Sequence, residues 1–362
     1  MDIAVFGAGA AGLMTAISLC ARGHRCRIYE RSRLSHEAGM GFILMPEGME
    51  LMRNYGVELA AVPLRFYHCR NSAGDLLLEE AMPRGAGGIR RRDLMAALLE
   101  ALPKPTTLTF GTELDELELD GRGRVVRAHL TSGAGPTTIQ ADLYVGADGI
   151  HSRARQTLFP EWPARPAPVM EVVGRVRCQR TLKQVAGNFT KYHAMSGGLA
   201  FGILPVDAEH VVWYLQFDAG KYPPPREIEG PAACREFVRR LAGDWAHPIP
   251  SLIAETDFSQ VHLWRPLDAE LPPQFHGPNL VLVGDSAHPL SPFTSQGVSS
   301  AIADADTLAR VLESGPSLEA ALERYSRERR RDCVPYVEKG RVLTREFLAP
   351  RDVACFTVPI AR

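Results

Sequence analysis

A short apolar run, Ile3-Ala4-Val5-Phe6, meets Gly7-Ala8-Gly9-Ala10-Ala11-Gly12, after which Leu13, Met14, Ala16, Ile17, Cys20 and Ala21 keep helical spacing up to Gly23. Glycine spacing alone would constrain little. Here a second strand, Cys26 to Tyr29, follows the helix and ends in Glu30, 18 residues past Gly12. In such a strand-helix-strand unit the first glycine permits the tight turn and the second lets the backbone approach a pyrophosphate. The third lets helix and strand pack closely, and the acid accepts a ribose hydroxyl. The chain is therefore an α/β protein built on a dinucleotide site.

Regular βαβ alternation does not continue. Residues 31–41 read as loop, Phe42 to Met45 as a buried strand, and the next helix opens at Pro46 and closes at Gly56. Beyond the apolar run Leu64 to Cys69 and the Gly74-Asp75 turn, Ile89-Arg90-Arg91-Arg92-Asp93-Leu94 leads into a helix face of Leu94, Met95, Leu98, Leu99 and Leu102, stopped at Pro103. Cations at a helix start oppose the macrodipole, so either an anion such as a phosphate lies nearby or the turn is simply solvated. Thr106 to Leu130, around Asp120-Gly121, and Thr137 to Val145 read as antiparallel strands. They run into Ala147-Asp148-Gly149, a second acid at a strand end, with His151 to Arg155 beginning another helix.

From about Pro160 the texture becomes proline- and β-rich, with strands near Val169 to Val176, Leu199 to Leu204 and His210 to Phe217 and a helix over Ala232 to Leu241. This reads as an inserted sheet domain whose aromatics Tyr192, Phe201, Trp213, Tyr214 and Phe217 serve either an aromatic pocket or ordinary core packing. The chain returns through residues 267–278 to Leu280-Val281-Leu282-Val283-Gly284-Asp285, a Pro/Ser/Gly loop, and a helical stripe of Val298, Ala301, Ile302, Ala305 and Leu308. Backbone N–H groups at that helix start suit an electron-rich ligand. Leu318 to Leu348 read as one or two amphipathic helices, with Arg327 to Arg331 as a solvated face. The domains expected are 1–62, 84–160 and 267–348 for the dinucleotide, 63–83 and 161–266 for a substrate-binding sheet, and 349–362 as a tail.

A net charge of −1 over 362 residues makes no electrostatic case for nucleic acid or an acidic membrane and points to a small-molecule ligand. Seven cysteines without a Cys-x-x-Cys pair argue against a disulfide framework or metal site and for a reducing compartment. No apolar run reaches the roughly 18 to 20 residues of a membrane span, and no basic leader precedes the first strand. A cytoplasmic protein without integral membrane association, monomeric or homodimeric, is expected.

Glu30, Asp148 and Asp285 together mark three strand ends of dinucleotide-site type. In that combination the chain resembles the group A flavoprotein monooxygenases, the para-hydroxybenzoate hydroxylase-like aromatic hydroxylases. Gly7, Gly9, Ala11 and Gly12 with Glu30-Arg31 are similar to their FAD fingerprint, and Ala147-Asp148-Gly149 to the motif implicated there in FAD and NAD(P)H binding. Gly284-Asp285 with Pro292 and Gln296-Gly297-Val298 resembles the motif whose Asp holds the FAD ribityl chain and whose loop faces the isoalloxazine; Arg91 is similar to an arginine that contacts FAD. The resemblance departs at Ser295 and Ser299, where the family usually has Gly and Asn. A left-handed backbone at position 295 would cost a serine about 1–2 kcal/mol.

The resemblance implies a Rossmann-like (GR2-type) FAD domain with an inserted β-sheet substrate domain and C-terminal helices. It implies tightly bound FAD, NAD(P)H as transient co-substrate, and hydroxylation of an electron-rich aromatic or heteroaromatic ring with O2 through a flavin C4a-hydroperoxide. Tyr192, His193 and Tyr214 are the candidates for deprotonating the ring. The alternatives are a flavin-dependent reductase, a halogenase-like tailoring enzyme, for which the Trp-x-Trp-x-Ile-Pro motif is missing, and a non-catalytic flavin-binding protein.

Overall fold

The computed structural model describes residues 1–33, 40–104 and 106–350. Most of the loop expected over 31–41, nearly all of the tail 349–362 and Cys355 lie outside the described residues.

Five parallel strands form the first sheet, in the order Leu280–Leu282, Leu143–Gly146, Asp2–Phe6, Arg25–Glu30 and Thr107–Phe110. The strand Asp2–Phe6 is central and almost wholly buried, as a parallel strand covered on both faces should be. The helix Ala10–Cys20 packs on the helix Gly297–Ser314, joining the two ends of the sequence in one core. Because all five strands run the same way, Gly7, Glu30, Asp148 and Asp285 come to one edge of the sheet, where open α/β sheets bind ligands.

Two strands expected to be antiparallel are not. Thr107–Phe110 and Leu143–Gly146 belong to the parallel sheet, and only Thr112–Leu119, Val125–Ser132 and Gly135–Ile139 form an antiparallel meander. Gly111, at φ +65°, separates the first of these roles from the second within one run of alternating residues. Alternation reports two unlike faces and carries no information on strand direction.

The second large sheet has seven strands, ordered His262–Trp264, Val169–Arg177, His210–Asp218, Leu199–Pro205, Phe189–His193, Phe66–Asn71 and Leu76–Ala81. Residues 66–81 thus add two strands to a sheet whose other members come more than 80 residues later. One face is covered by the helices Pro231–Ala242 and Ile249–Glu255 over a core containing Phe201, Trp213 and Phe217. The opposite face carries Tyr67, Phe189, Leu204 and Val212 and packs against Ile43 and Met45, in and just after the strand Gly41–Leu44. Gly88 makes this approach possible, since a Cβ there would stand 2.0 Å from the carbonyl oxygen of Pro205.

The C-terminal segment is a single helix, Leu318–Leu348, with Pro335 inside it. Its basic run is not wholly a solvated face: Arg327 and Arg331 are exposed, but Arg329 is buried. The reason is a buried carboxylate, Asp304, on the neighbouring helix.

Candidate functional site

At one end of the sheet edge the glycine loop has the shape its residues require. Gly7 adopts φ +105°, and a Cβ on it would lie 2.3 Å from Ala147 O; a Cβ on Gly12 would lie 1.9 Å from Gly7 O. Both glycines are therefore fixed by the protein itself. A Cβ on Gly9, in contrast, would meet nothing within 4 Å. Gly9 is the one glycine of the three whose missing side chain leaves room for something other than protein. Glu30 is buried and oriented by two backbone donors, Ala8 N and Ser32 N, each 2.8 Å away. Arg31 is exposed beside it.

At the other end, Gly284 turns at φ +62° in van der Waals reach of Ala11, so the first helix and the Gly284-Asp285 turn are packed together. The Asp285 side chain is open to solvent and yet ringed by protein. That crowding raises its carboxyl above the ordinary range, while the charges of His288, Arg91 and Arg155 pull the other way. Arg155 is buried and donates to the carbonyls of Asp285 and Ser286, each at 3.1 Å, and to that of Ile150. It welds the strand end at Asp148 to the turn at Asp285.

Asp148 caps the helix Arg153–Leu158, its Oδ2 accepting from Arg153 N at 2.7 Å and Ala154 N at 3.2 Å. Its Oδ1 is buried and has no hydrogen-bond partner among the described residues. The arginine triplet divides in a similar way. Arg90 pairs with Asp93 and Asp207, and Arg92 lies 3.6 Å from Asp93, whereas Arg91 is exposed, makes no ion pair among the described residues and acts on Asp285.

Beneath the turn lies a charged cluster that sequence reasoning did not single out. Asp304, fully buried, accepts from Gly284 N, from His288 Nε2 and from Arg329 Nε, each at 2.6 Å. Arg329 also donates to Ser300 and Asp332, and Tyr325 donates to Leu282 O at 2.9 Å. Burial opposes each of these charges, but their mutual attraction wins. His288 is held well above the ordinary imidazole range and Asp304 below the ordinary carboxylate range. A signal was present: Asp304 falls between Ala301 and Leu308 on the apolar stripe of its helix, where a lone acid demands a partner.

The loop above begins with the turn Pro292–Thr294 and reaches Ser295 at φ 53° and ψ 23°, a left-handed backbone carried by serine. Gln296 is buried, and Gly297 opens the helix Gly297–Ser314 with nothing within 4 Å of where a Cβ would be. Val298 is half-buried. Ser299, the other departure from the family pattern, accepts from Met45 N at 3.1 Å and so ties this helix to the strand Gly41–Leu44.

Of the three ring-deprotonation candidates, the structure brings two to the face of the seven-stranded sheet that looks toward this loop. His193 is buried there and Tyr214 is half-buried. Tyr192 has the opposite orientation, packing in the helix-covered core with its hydroxyl 3.4 Å from His247 O. Neighbouring residues on a strand alternate faces, so Tyr192 and His193 cannot share one. Open space at Gly9 and Gly297, the unmatched Asp148 Oδ1 and the uncommitted Arg91 all suit a long dinucleotide lying along the sheet edge.

The family described as FAD binding domain matches residues 1–338. The chain is 29% identical over 379 residues to 3-amino-4-hydroxybenzoate 2-monooxygenase of Streptomyces cremeus, covering 98% of this chain and 89% of that one. It is 30% identical over 348 residues to 3-amino-4-hydroxybenzoate 2-monooxygenase PtnB3 of Streptomyces platensis, covering 87% and 82%. Among solved structures it is similar to Klebsiella pneumoniae HpxO complexed with FAD and uric acid, with a TM-score of 0.83 at 23% identity over 96% of this chain and 89% of that one.

Proposed function

The chain belongs to the FAD-binding-domain family of flavin-dependent monooxygenases, and from that premise we propose how its residues divide the work. It is an oxygen-incorporating flavoprotein that hydroxylates an aromatic small molecule, with NAD(P)H as reductant. Bound FAD supplies the oxygen-transfer chemistry. The protein has to bind it, exclude water and hold an electron-rich ring beside it.

The alignment of four motif ends along one sheet edge, with Asp285 open to solvent within reach of the Arg91 charge, carries the reading. Gly7 and Gly12 shape the turn, Gly9 and Ala11 lie where the pyrophosphate approaches, and Glu30 with Arg31 attends the adenosine ribose. Asp285 takes the ribityl hydroxyls, Arg91 a phosphate, and Asp148 fixes the helix beside them. Pro292, Gln296, Gly297 and Val298 form the wall facing the flavin ring, where the helix N-terminus stabilises negative charge. The seven-stranded sheet, residues 63–83 and 161–266, then forms the substrate side, with His193 and Tyr214 on the face turned to that wall. The substrate is an electron-rich ring such as a hydroxylated or aminated benzoate or a heteroaromatic ring. No helix among the described residues is long and apolar enough to cross a membrane; a cytoplasmic monomer or homodimer accords with that and with the cysteine usage.

Purified protein should be yellow, and Asp285→Ala should lose most of its flavin while remaining folded. A panel of phenols, aminobenzoates and hydroxypyridines should contain a compound that stimulates NAD(P)H oxidation and gains one oxygen atom from labelled O2. Oxygen arriving from water, or a protein that stays colourless with added FAD, would refute the reading.

A further inference from the structure

The helix Leu318–Leu348 carries a buried glycine, Gly340, well inside its C-terminal half. Glycine weakens a helix interior, because it regains more freedom on unfolding than any other residue and packs no side chain. What it supplies here is room. A Cβ at position 340 would stand 2.8 Å from Ser291 Cβ, well inside the roughly 3.5 to 4.0 Å at which carbon atoms rest, and 3.4 Å from Thr294 Cγ2. The atom in the way is itself a Cβ, which follows its backbone and cannot swing aside. Ser291 precedes the turn Pro292–Thr294 and Thr294 closes it, so the helix backbone bears directly on the loop.

The helix is held on either side of this contact. Before it, Tyr325 donates to Leu282 O in the parallel sheet, and Arg329 donates to Asp304 and Ser300 O on the helix Gly297–Ser314. Beyond it, the Phe347 carbonyl accepts from Gly198 N at 2.6 Å, in the connection between the strands Phe189–His193 and Leu199–Pro205. That end is fitted as closely, since a Cβ on Gly197 would lie 2.1 Å from Ala349 O. The turn is a small rigid body by comparison. Thr294 donates to Ser291 O through both its N–H, at 3.1 Å, and its hydroxyl, at 2.9 Å, and Ser295 N donates to Pro292 O at 3.2 Å. On the sheet side the Phe293 ring centre lies 5.2 Å from that of Phe347 and 4.9 Å from the Lys191 ammonium. Where a Cβ on Gly297 would be, in contrast, nothing lies within 4 Å. A methyl group at position 340 is therefore relieved by moving the turn rather than the helix.

We propose that Gly340 is a positioning residue for the flavin ring: it lets a helix held at both ends lie against Ser291 and Thr294, and so sets where the loop stands against the ring. This rests on the reading of Pro292, Gln296, Gly297 and Val298 as the wall facing the flavin. Gly340 touches neither flavin nor substrate and acts through the turn. Displacing Ser291 and Thr294 displaces Ser295, whose left-handed backbone ends the turn, and with it the start of the helix Gly297–Ser314, where backbone N–H groups point toward the ring.

The test compares the parent, Gly340→Ala, Ser291→Gly and the double variant by FAD affinity, flavin absorbance and thermal unfolding of the flavin-free protein. Gly340→Ala should weaken FAD about tenfold or more and alter the absorbance bands. Its flavin-free melting temperature should stay within about 4 °C of the parent's, because alanine favours the helix that its methyl crowds. Ser291→Gly removes the atom the methyl meets, so the double variant should bind FAD within about threefold of Ser291→Gly alone. If Gly340→Ala fails to fold, the double variant decides: it should fold and hold flavin as Ser291→Gly does. Parent-like FAD affinity and absorbance in Gly340→Ala, a loss of stability without a change at the flavin, or a double variant no better than Gly340→Ala overturns the proposal. A yellow parent with an indistinguishable Gly340→Ala variant refutes the Gly340 assignment alone; a parent that stays colourless with added FAD refutes the broader reading.

Discussion

The two ends of the proposed dinucleotide site are built in opposite ways. The adenosine end comes from one stretch of about thirty residues, in which Gly7 and Gly12 fit against their own neighbours and Glu30 is oriented by Ala8 and Ser32. The end assigned to the flavin is assembled from Arg91, the Asp148–Arg155 segment, the Gly284–Ser299 loop and, beneath it, Asp304 with His288 and Arg329. A local site can be specified by spacing. A distributed one must be held together by buried charged contacts between elements far apart in sequence.

That contrast can be broken most forcefully at Asp304. Asp304→Asn keeps the shape but leaves His288 and Arg329 without their shared carboxylate, and stability to urea should fall by about 3–5 kcal/mol with loss of flavin. A value near zero would show that the distributed end is not held by charge. The acid limb gives a second reading. Because the folded Asp304 carboxyl lies below its unfolded range, its contribution is present above roughly pH 4 and is lost as the pH falls through the lower folded value. The raised His288 contributes fully below about pH 6.5, its unfolded value, and its contribution is lost only as the pH rises through the folded one. Asp304→Asn should flatten both limbs of the thermal stability profile.

At the local end the expected effects are smaller and separable. Gly12→Ala forces a Cβ against Gly7 O and should cost about 1–3 kcal/mol, measured by thermal or urea unfolding. Ser295→Gly, back at the distributed end, relieves a left-handed serine and should stabilise by no more than about 1 kcal/mol, since glycine also gains freedom in the unfolded chain. Gly9→Ala should leave the flavin-free protein within about 1 kcal/mol of the parent but weaken FAD by about tenfold or more, as judged by equilibrium flavin fluorescence. If Gly9→Ala instead unfolds the protein, its position is structural and the open space beside it is not a ligand site.

Much of the fold was legible because hydrophobic period and turn chemistry act locally. The strand Asp2–Phe6, its helix and the helix Gly297–Ser314 follow directly from spacing. Strand direction was not legible: Thr107–Phe110 alternates like the meander strands after Gly111 yet pairs parallel to Arg25–Glu30. At the site, the acids at strand ends could be read from their flanking motifs, and the left-handed backbone at Ser295 could be posed as a question. Arg155, Asp304, Arg329 and Lys191 could not be paired, because each finds its partner on another element.

The sequence by itself determined the dinucleotide fingerprint and with it the cofactor class, since those depend on backbone geometry that a few adjacent residues impose. Only the tertiary structure decided which side chains share a face. Period-two alternation sends Tyr192 into the helix-covered core and Lys191 toward the flavin loop, and pairing register, which no single strand encodes, sets Lys191 beside Gln216 and Glu171.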